Sequence, residues 1–352
     1  MKEDIKRILI TSMVEKAFRD GKSSPRRTAR NMIDLGLNFS KGRFQKWFLT
    51  YAQEMLQDQE SAYYDLVTDV IAHTDEKLLI NFGVNLVYNG CTKGAAVIRK
   101  MEKEQGFNIP WCLSMKMDGK RMEQEADVCQ EWIRQGKELG IYVYLMALKE
   151  GNPEGLLKFL KMNPDCAFIF FLGGQTVSEG FAKEVRECGN AMISVPARPD
   201  SVDNCWFMRK NRLLYAVHAG YREADAGRIL DDTWLKEQLL LHPQFAFVWA
   251  DWECESDIRQ KVYEHVVDVR MKQKYPVLYM EIREDLQMIE NIISDDACAV
   301  GFETDGSVVA YARQTRMKVK DIGGRTLKEI LKIMVPKDIT EDVAADIPME
   351  IP

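Results

Sequence analysis

Up to about residue 105 the chain repeats apolar side chains at i, i+3, i+4 and i+7. The pattern runs through IKRILITSMVEKAF, RRTARNMIDLGLNF, GRFQKWFLTYAQEML and AYYDLVTDVIAHT, and predicts amphipathic helices. In SSPRRTAR, Ser24 is the expected N-cap and Pro25 the first helical residue. KLLINFGVNLVYNG (Lys77 to Gly90) fits either helix or strand, and KGAAVIRKMEKEQG predicts a helix that stops at Gly106. Beyond Gly106 the period changes. The runs IPWCLSM, GIYVYLMAL, CAFIFFL, AMISVPA, RLLYAVH and FAFVWAD, apolar on both faces, alternate with polar helical stretches. Such runs predict a parallel sheet covered by helices, either an open barrel or a doubly wound sheet. PVLYMEI adds a strand, ACAVGFETDGSVVAYAR a hairpin turning at Asp305-Gly306, and TLKEILKIM a closing helix before a loose acidic tail. The expected segments are a helical region (1–107), a barrel (108–284) and a small extension with the tail (285–352).

Charge narrows the partners. The net charge of -6 over 352 residues argues against a general nucleic-acid binder, which needs a basic face for phosphates. No stretch reaches the ~18 apolar residues that cross a bilayer, and the N-terminus lacks a signal-peptide core, so the expectation is a cytoplasmic protein with no membrane association. The eight cysteines contain no CxxC and no local cluster. In buried strands and helix faces a free thiol acts as a small hydrophobe.

In parallel α/β folds, ligands bind at the carboxyl ends of the strands. Those ends offer Asp118, Lys149, Glu150, Gln175, Arg198, His218, Tyr221, Arg222, Asp251, Glu253 and Cys254. His218, Asp251, Glu253 and Cys254 form a metal site only if their strands are neighbours and their side chains converge. No GxGxxG follows a strand, and the chain lacks P-loop, HExxH and GxSxG motifs. GGQT (Gly173 to Thr176) reads as a tight strand-to-helix turn. His73, His242 and His265 read as structural, and the aromatic runs AFIFF and AFVWADW as strand core.

GFNIPWCLSMKMDG, IRQGKELGIYVYLMALKEG, NPDCAFIFFLGGQTVSEGFAKEV and GNAMISVPA, taken in order, resemble the barrel core of radical SAM (S-adenosylmethionine) proteins, and more narrowly those with a SPASM- or twitch-like C-terminal extension. The likeness runs from about Ser12 to Met334. It implies a partial (β/α)6 TIM-like barrel with an N-terminal helical region and a small C-terminal hairpin and helix extension. In the family, the loop after the first barrel strand carries CxxxCxxC, whose thiolates hold a [4Fe–4S] cluster that binds SAM.

Here that segment is KMDGKRMEQEADV, without cysteine and short for the family loop; Cys112 precedes it and Cys129 follows it. Of the family's GGEP at the second strand only Glu150 remains, after Leu148 and Lys149. Ser194 keeps a polar residue where the family often contacts SAM, so Glu150 and Ser194 are vestigial SAM-site positions. The auxiliary-cluster cysteines are missing as well, with Tyr311 near one such position. The expectation is therefore a degenerate radical SAM-like pseudoenzyme with no cofactor and no metal. It would act as a binding or regulatory partner of a peptide, a protein or an intact radical SAM relative. One alternative is a repurposed barrel doing hydrolytic or transfer chemistry through Glu150, His218, Asp251 and Glu253, which then have to converge on one cavity. The other is an active enzyme whose cluster ligands are displaced.

Overall fold

The computed structural model describes residues 5–21, 24–39, 42–294, 296, 298–312, 315–320 and 322–337. Five helices lead in: α1 (Ile5–Gly21), α2 (Pro25–Phe39), α3 (Arg43–Met55), α4 (Tyr63–His73) and α5 (Glu76–Gly83). A π-helical segment, Val84–Gly94, joins α5 to α6 (Ala95–Gln105). Strands and helices then alternate: β1 (Cys112–Met117), α7 (Gly119–Leu139), β2 (Val143–Leu148), α8 (Leu157–Met162), β3 (Ala167–Leu172), α9 (Glu179–Cys188) and β4 (Ala191–Pro196). They continue through α10 (Val202–Lys210), β5 (Tyr215–Tyr221), α11 (Glu223–Leu230), α12 (Thr233–Leu239), β6 (Phe245–Ala250), α13 (Ser256–Met271), β7 (Leu278–Glu281) and α14 (Ile282–Ile293). The chain ends in β8 (Cys298–Phe302), β9 (Val308–Ala312), β10 (Thr315–Val319) and α15 (Leu327–Met334). The acidic tail lies outside the described residues.

The architecture is α/β, with β1 to β6 supplying the six strands of the partial (β/α)6 arrangement. The chain forms two compact units. The first comprises residues 1–41, 45–84 and 176–286. Its strands β4, β5, β6 and β7 are parallel and adjacent in that order, with His218 opposite Phe247 and Val248 opposite Glu281. Val195, Tyr215, Val217 and Phe247 are buried, as runs apolar on both faces require. Around them, Arg209 of α10 forks onto Asp69 of α4 at 2.8 and 2.5 Å, with His73 beside it at 3.0 Å.

The second unit comprises residues 42–44, 85–175 and 287–352. Here β1, β2 and β3 are parallel, β8 joins β1 in parallel, and β8, β9 and β10 form an antiparallel meander. The hairpin turns where expected, with Gly306 at φ 78°, and gains β10 as a third strand that its mixed TRMKV sequence does not announce. The ambiguous Lys77 to Gly90 stretch is helical. Asn85 and Asn89, both buried, lie on its π-helical part. Asn85 donates to the carbonyls of Pro164 and Cys166 at 2.9 and 3.0 Å, and Asn89 to that of Asp165 at 2.8 Å. The wide helical turn thus satisfies the connection entering β3, which would otherwise leave buried carbonyls unpaired.

Candidate functional site

The charged stretch after β1 is not a loop. Asp118 alone separates β1 from α7, its carboxylate accepting the Arg121 backbone N–H at 2.8 Å as an N-cap. The helix then runs 21 residues to Gly140, which caps it in the left-handed conformation. The expected connector is therefore a strand end, a cap and the first turns of a helix. Its Lys, Arg, Met, Glu and Gln are strong helix formers once a cap starts them. Arg121 is only 3% exposed. Its guanidinium donates to the carbonyls of Lys116 (3.3 Å) and Glu303 and pairs with the Glu125 carboxylate at 2.8 Å, while Lys116 pairs with Glu303 at 2.9 Å. The N-terminus of α7 is thus tied to the β8–β9 turn.

The two cysteines that flank this junction are held away from solvent. Cys112 lies inside β1, and Cys129 is buried on α7 with its sulfur 4.0 Å from that of Met117. Burial pushes the Cys129 thiol up to about 11 and that of Cys112 higher still, so both stay protonated, whereas cluster ligation takes thiolates. Among the described residues, no three His, Cys, Asp or Glu side chains converge to hold a metal ion. At the ends of β1 and β2, Met115, Met117 and Leu148 are buried, while Lys149 and Glu150, just past β2, are exposed. The Gly173 N–H is bonded to the Leu148 carbonyl at 2.9 Å and to the Gln175 side chain at 2.7 Å. A Cβ on Gly173 would stand 2.3 Å from the Lys149 carbonyl oxygen, so GGQT is a tight turn pressed against the end of β2.

The polar ends of β5 and β6, by contrast, line a cleft of about 340 Å³. Arg222, just past β5, bonds Asp251 through Nε and Nη2 at 2.8 and 2.7 Å, with Glu253 3.7 Å away. The Arg222 bond holds the Asp251 carboxyl below its ordinary range. Trp249 and Trp252 supply aromatic faces, and the Arg283 guanidinium carbon stacks 3.3 Å from the Trp252 ring centre. Beneath them, the buried Glu281 carboxylate accepts the N–H groups of Ala250 (2.9 Å) and Glu284 (2.8 Å), pinning the end of β6 to the first turn of α14. Burial raises its carboxyl pKa.

His218 does not join this cleft. It is buried on β5, its Nδ1 2.8 Å from the Ser194 hydroxyl and its ring 5.3 Å from Trp249. His218 pairs with Phe247, four residues before Asp251, so His218 and Asp251 stand roughly 13 Å apart along the strands. Of the four acid–base candidates, then, Asp251 and Glu253 meet at Arg222, His218 sits deeper with Ser194, and Glu150 is an exposed end of β2. Cys254 is buried, which raises its thiol, and it forms no metal set with them. His265 and His73 are structural partners of Asp232 and Asp69. Trp249, Trp252, Glu281 and Arg283 went unrecognised in sequence. AFVWADW carries the signal for the tryptophans, since a strand run ending in an Asp flanked by Trp places indoles at a strand end; nothing local marks Arg283.

Burial, with Arg198 second, depresses the His218 pKa from 6.5 to about 3. The folded state therefore holds His218 neutral, and its stability is complete above pH 6.5 and lost as pH falls toward 3. Between pH 7 and pH 5 this residue should remove about 2 kcal/mol. Urea titrations should show His218→Asn, which keeps an acceptor for Ser194, losing less over that interval. Equal losses in both proteins would exclude His218 as the source.

No family model matches the chain, and no curated protein is similar to it in sequence. Solved structures similar to it include Streptococcus suis SuiB bound to S-adenosylmethionine, 11% identical over 69% of this chain and 68% of that one with a TM-score of 0.45. They also include a second structure of Streptococcus suis SuiB, 11% identical over 84% of this chain and 75% of that one with a TM-score of 0.43.

Proposed function

We propose that the chain is a radical SAM-like pseudoenzyme of the cytoplasm that binds a peptide or protein partner, such as an intact relative, and performs no radical chemistry. The observation that carries this reading is the β1–α7 junction. Three thiolates need a loop between strand and helix, and here Asp118 spans that interval alone while the buried Arg121 fastens the helix to the β8–β9 turn. The scatter of the remaining polar candidates supports binding over repurposed catalysis. Asp251 is already neutralised by Arg222, and His218 is desolvated and distant from it. The Trp252–Arg283 stack beside them offers contact surface of the kind that anchors partners.

Anaerobic reconstitution with iron and sulfide, followed by iron analysis and a reductive SAM-cleavage assay, tests it. The expected result is iron at background and no 5′-deoxyadenosine. About four irons per chain with SAM cleavage would overturn the reading.

A further inference from the structure

The acidic net charge conceals a polarity along the chain. Residues 1–50 contain twelve Lys and Arg against five Asp and Glu, a net +7. Residues 51–352 contain 36 against 49, a net -13. The structure places much of the excess on the surface. Among the described residues of α1, α2 and α3, eight Lys and Arg are exposed and only two acids, Asp34 and Glu54. The same helices expose large apolar side chains: Ile8 at 47%, Leu9 at 57%, Trp47 at 39% and Phe48 at 40%.

The two kinds of residue are interleaved. On α1 the exposed positions Lys6, Leu9, Ser12, Lys16 and Arg19 fall at helical spacing on one face, with Ile8 alongside. On α3, Lys46 precedes Trp47 and Phe48, and Trp47 stacks on Tyr51 at 5.3 Å. On α2, Arg26 and Arg30 both lie over the Tyr64 ring, at 5.0 and 5.4 Å, which fixes their direction without cancelling their charge.

We infer that the N-terminal helices form a peripheral docking surface for an anionic lipid bilayer. Lysines and arginines draw the surface to acidic headgroups while scattered indole, phenyl and aliphatic groups enter the interfacial layer. A protein interface gathers its apolar residues into a core depleted of lysine, which is the opposite arrangement. Nucleic-acid backbones use the cations but give Ile8 and Leu9 nothing to bury. The attachment is peripheral, since no described helix is long and apolar enough to cross a membrane. It revises the expectation of no membrane association, which rested on the lack of a spanning segment. It uses none of the strand-end residues and stands whether or not the pseudoenzyme reading does.

The test is sedimentation of the full chain with vesicles of phosphatidylglycerol and phosphatidylcholine, against phosphatidylcholine alone. Binding to the anionic vesicles should be about tenfold stronger or more and should weaken with salt. Trp47→Ser/Phe48→Ser and Lys6→Glu/Lys16→Glu/Arg19→Glu, all at exposed positions, should each lower it severalfold with the circular dichroism spectrum unchanged. No binding, or equal binding to both vesicle types, overturns the inference. So does retention by single-stranded DNA or polyglutamate that matches the vesicles and ignores Trp47→Ser/Phe48→Ser.

Discussion

Replacing Asp285 by alanine should destabilise the protein by about 3–5 kcal/mol, the usual cost of breaking a buried pair from one side. Asp285 opens α14 and is 1% exposed; the Arg270 side chain on α13 is 12% exposed. Two parallel bonds of 2.7 Å join carboxylate to guanidinium, which also donates to the Tyr279 carbonyl at 3.0 Å. Without Asp285, the Arg270 charge stays desolvated with only a carbonyl to face. Removing both charges as Arg270→Met/Asp285→Leu should recover most of the loss, because well-packed apolar residues replace such pairs at little cost. Urea midpoints for the two single variants and the double close the cycle. A loss below about 1 kcal/mol would place the pair with surface ion pairs. The effect reaches the cleft as well: the first turn of α14 carries Arg283, so loosening it should weaken the Trp252 stack.

The α/β class was legible because runs such as CAFIFFL and AMISVPA have one physical solution, a strand buried on both faces. The segment after Met117 was not. EADVCQEWIRQGKEL reads as a helix, but the dense charge before it resembles a connector, and only the Asp118 cap and Met122, seven residues before Cys129, show that the helix starts at Gly119. β10 escaped because TRMKV alternates over only four residues, with two apolar side chains and no turn signal of its own; its partner β9 defines it. At the site, the acids were found and their neutralisation was not. Asp251 reads as a free carboxylate until Arg222, 29 positions earlier, is brought beside it by the parallel pairing of β5 and β6. His218 reads as a strand-end base until the register shows it three residues short of the end. Long-range pairing decides both, and periodicity carries no information about it.

The largest effect should come from a single methyl group. At Gly94, where the π-helical segment meets α6, an added Cβ would lie 2.2 Å from the Gly140 carbonyl oxygen, 2.8 Å from that of Asn89 and 3.1 Å from the Tyr142 ring. The two nearest atoms belong to the backbone, so no rotamer change relieves the overlap. Gly140 is itself held at φ 97° as the cap of α7 and would meet the Gly94 carbonyl at 2.6 Å if it carried a Cβ. The two glycines thus let one helix start pass against another helix end at backbone contact. Gly94→Ala has to push them apart and should cost more than about 4 kcal/mol, seen as insoluble protein or a collapse of the thermal midpoint. Gly227→Ala is the matched control. It lies exposed within α11 with nothing within 4 Å of the added carbon, and helix propensity predicts a gain of roughly 0.5–1 kcal/mol. If Gly94→Ala melted with the parent, the close approach of the π-helical segment to the end of α7 would be wrong, and with it the route by which Asn85 and Asn89 reach the carbonyls before β3.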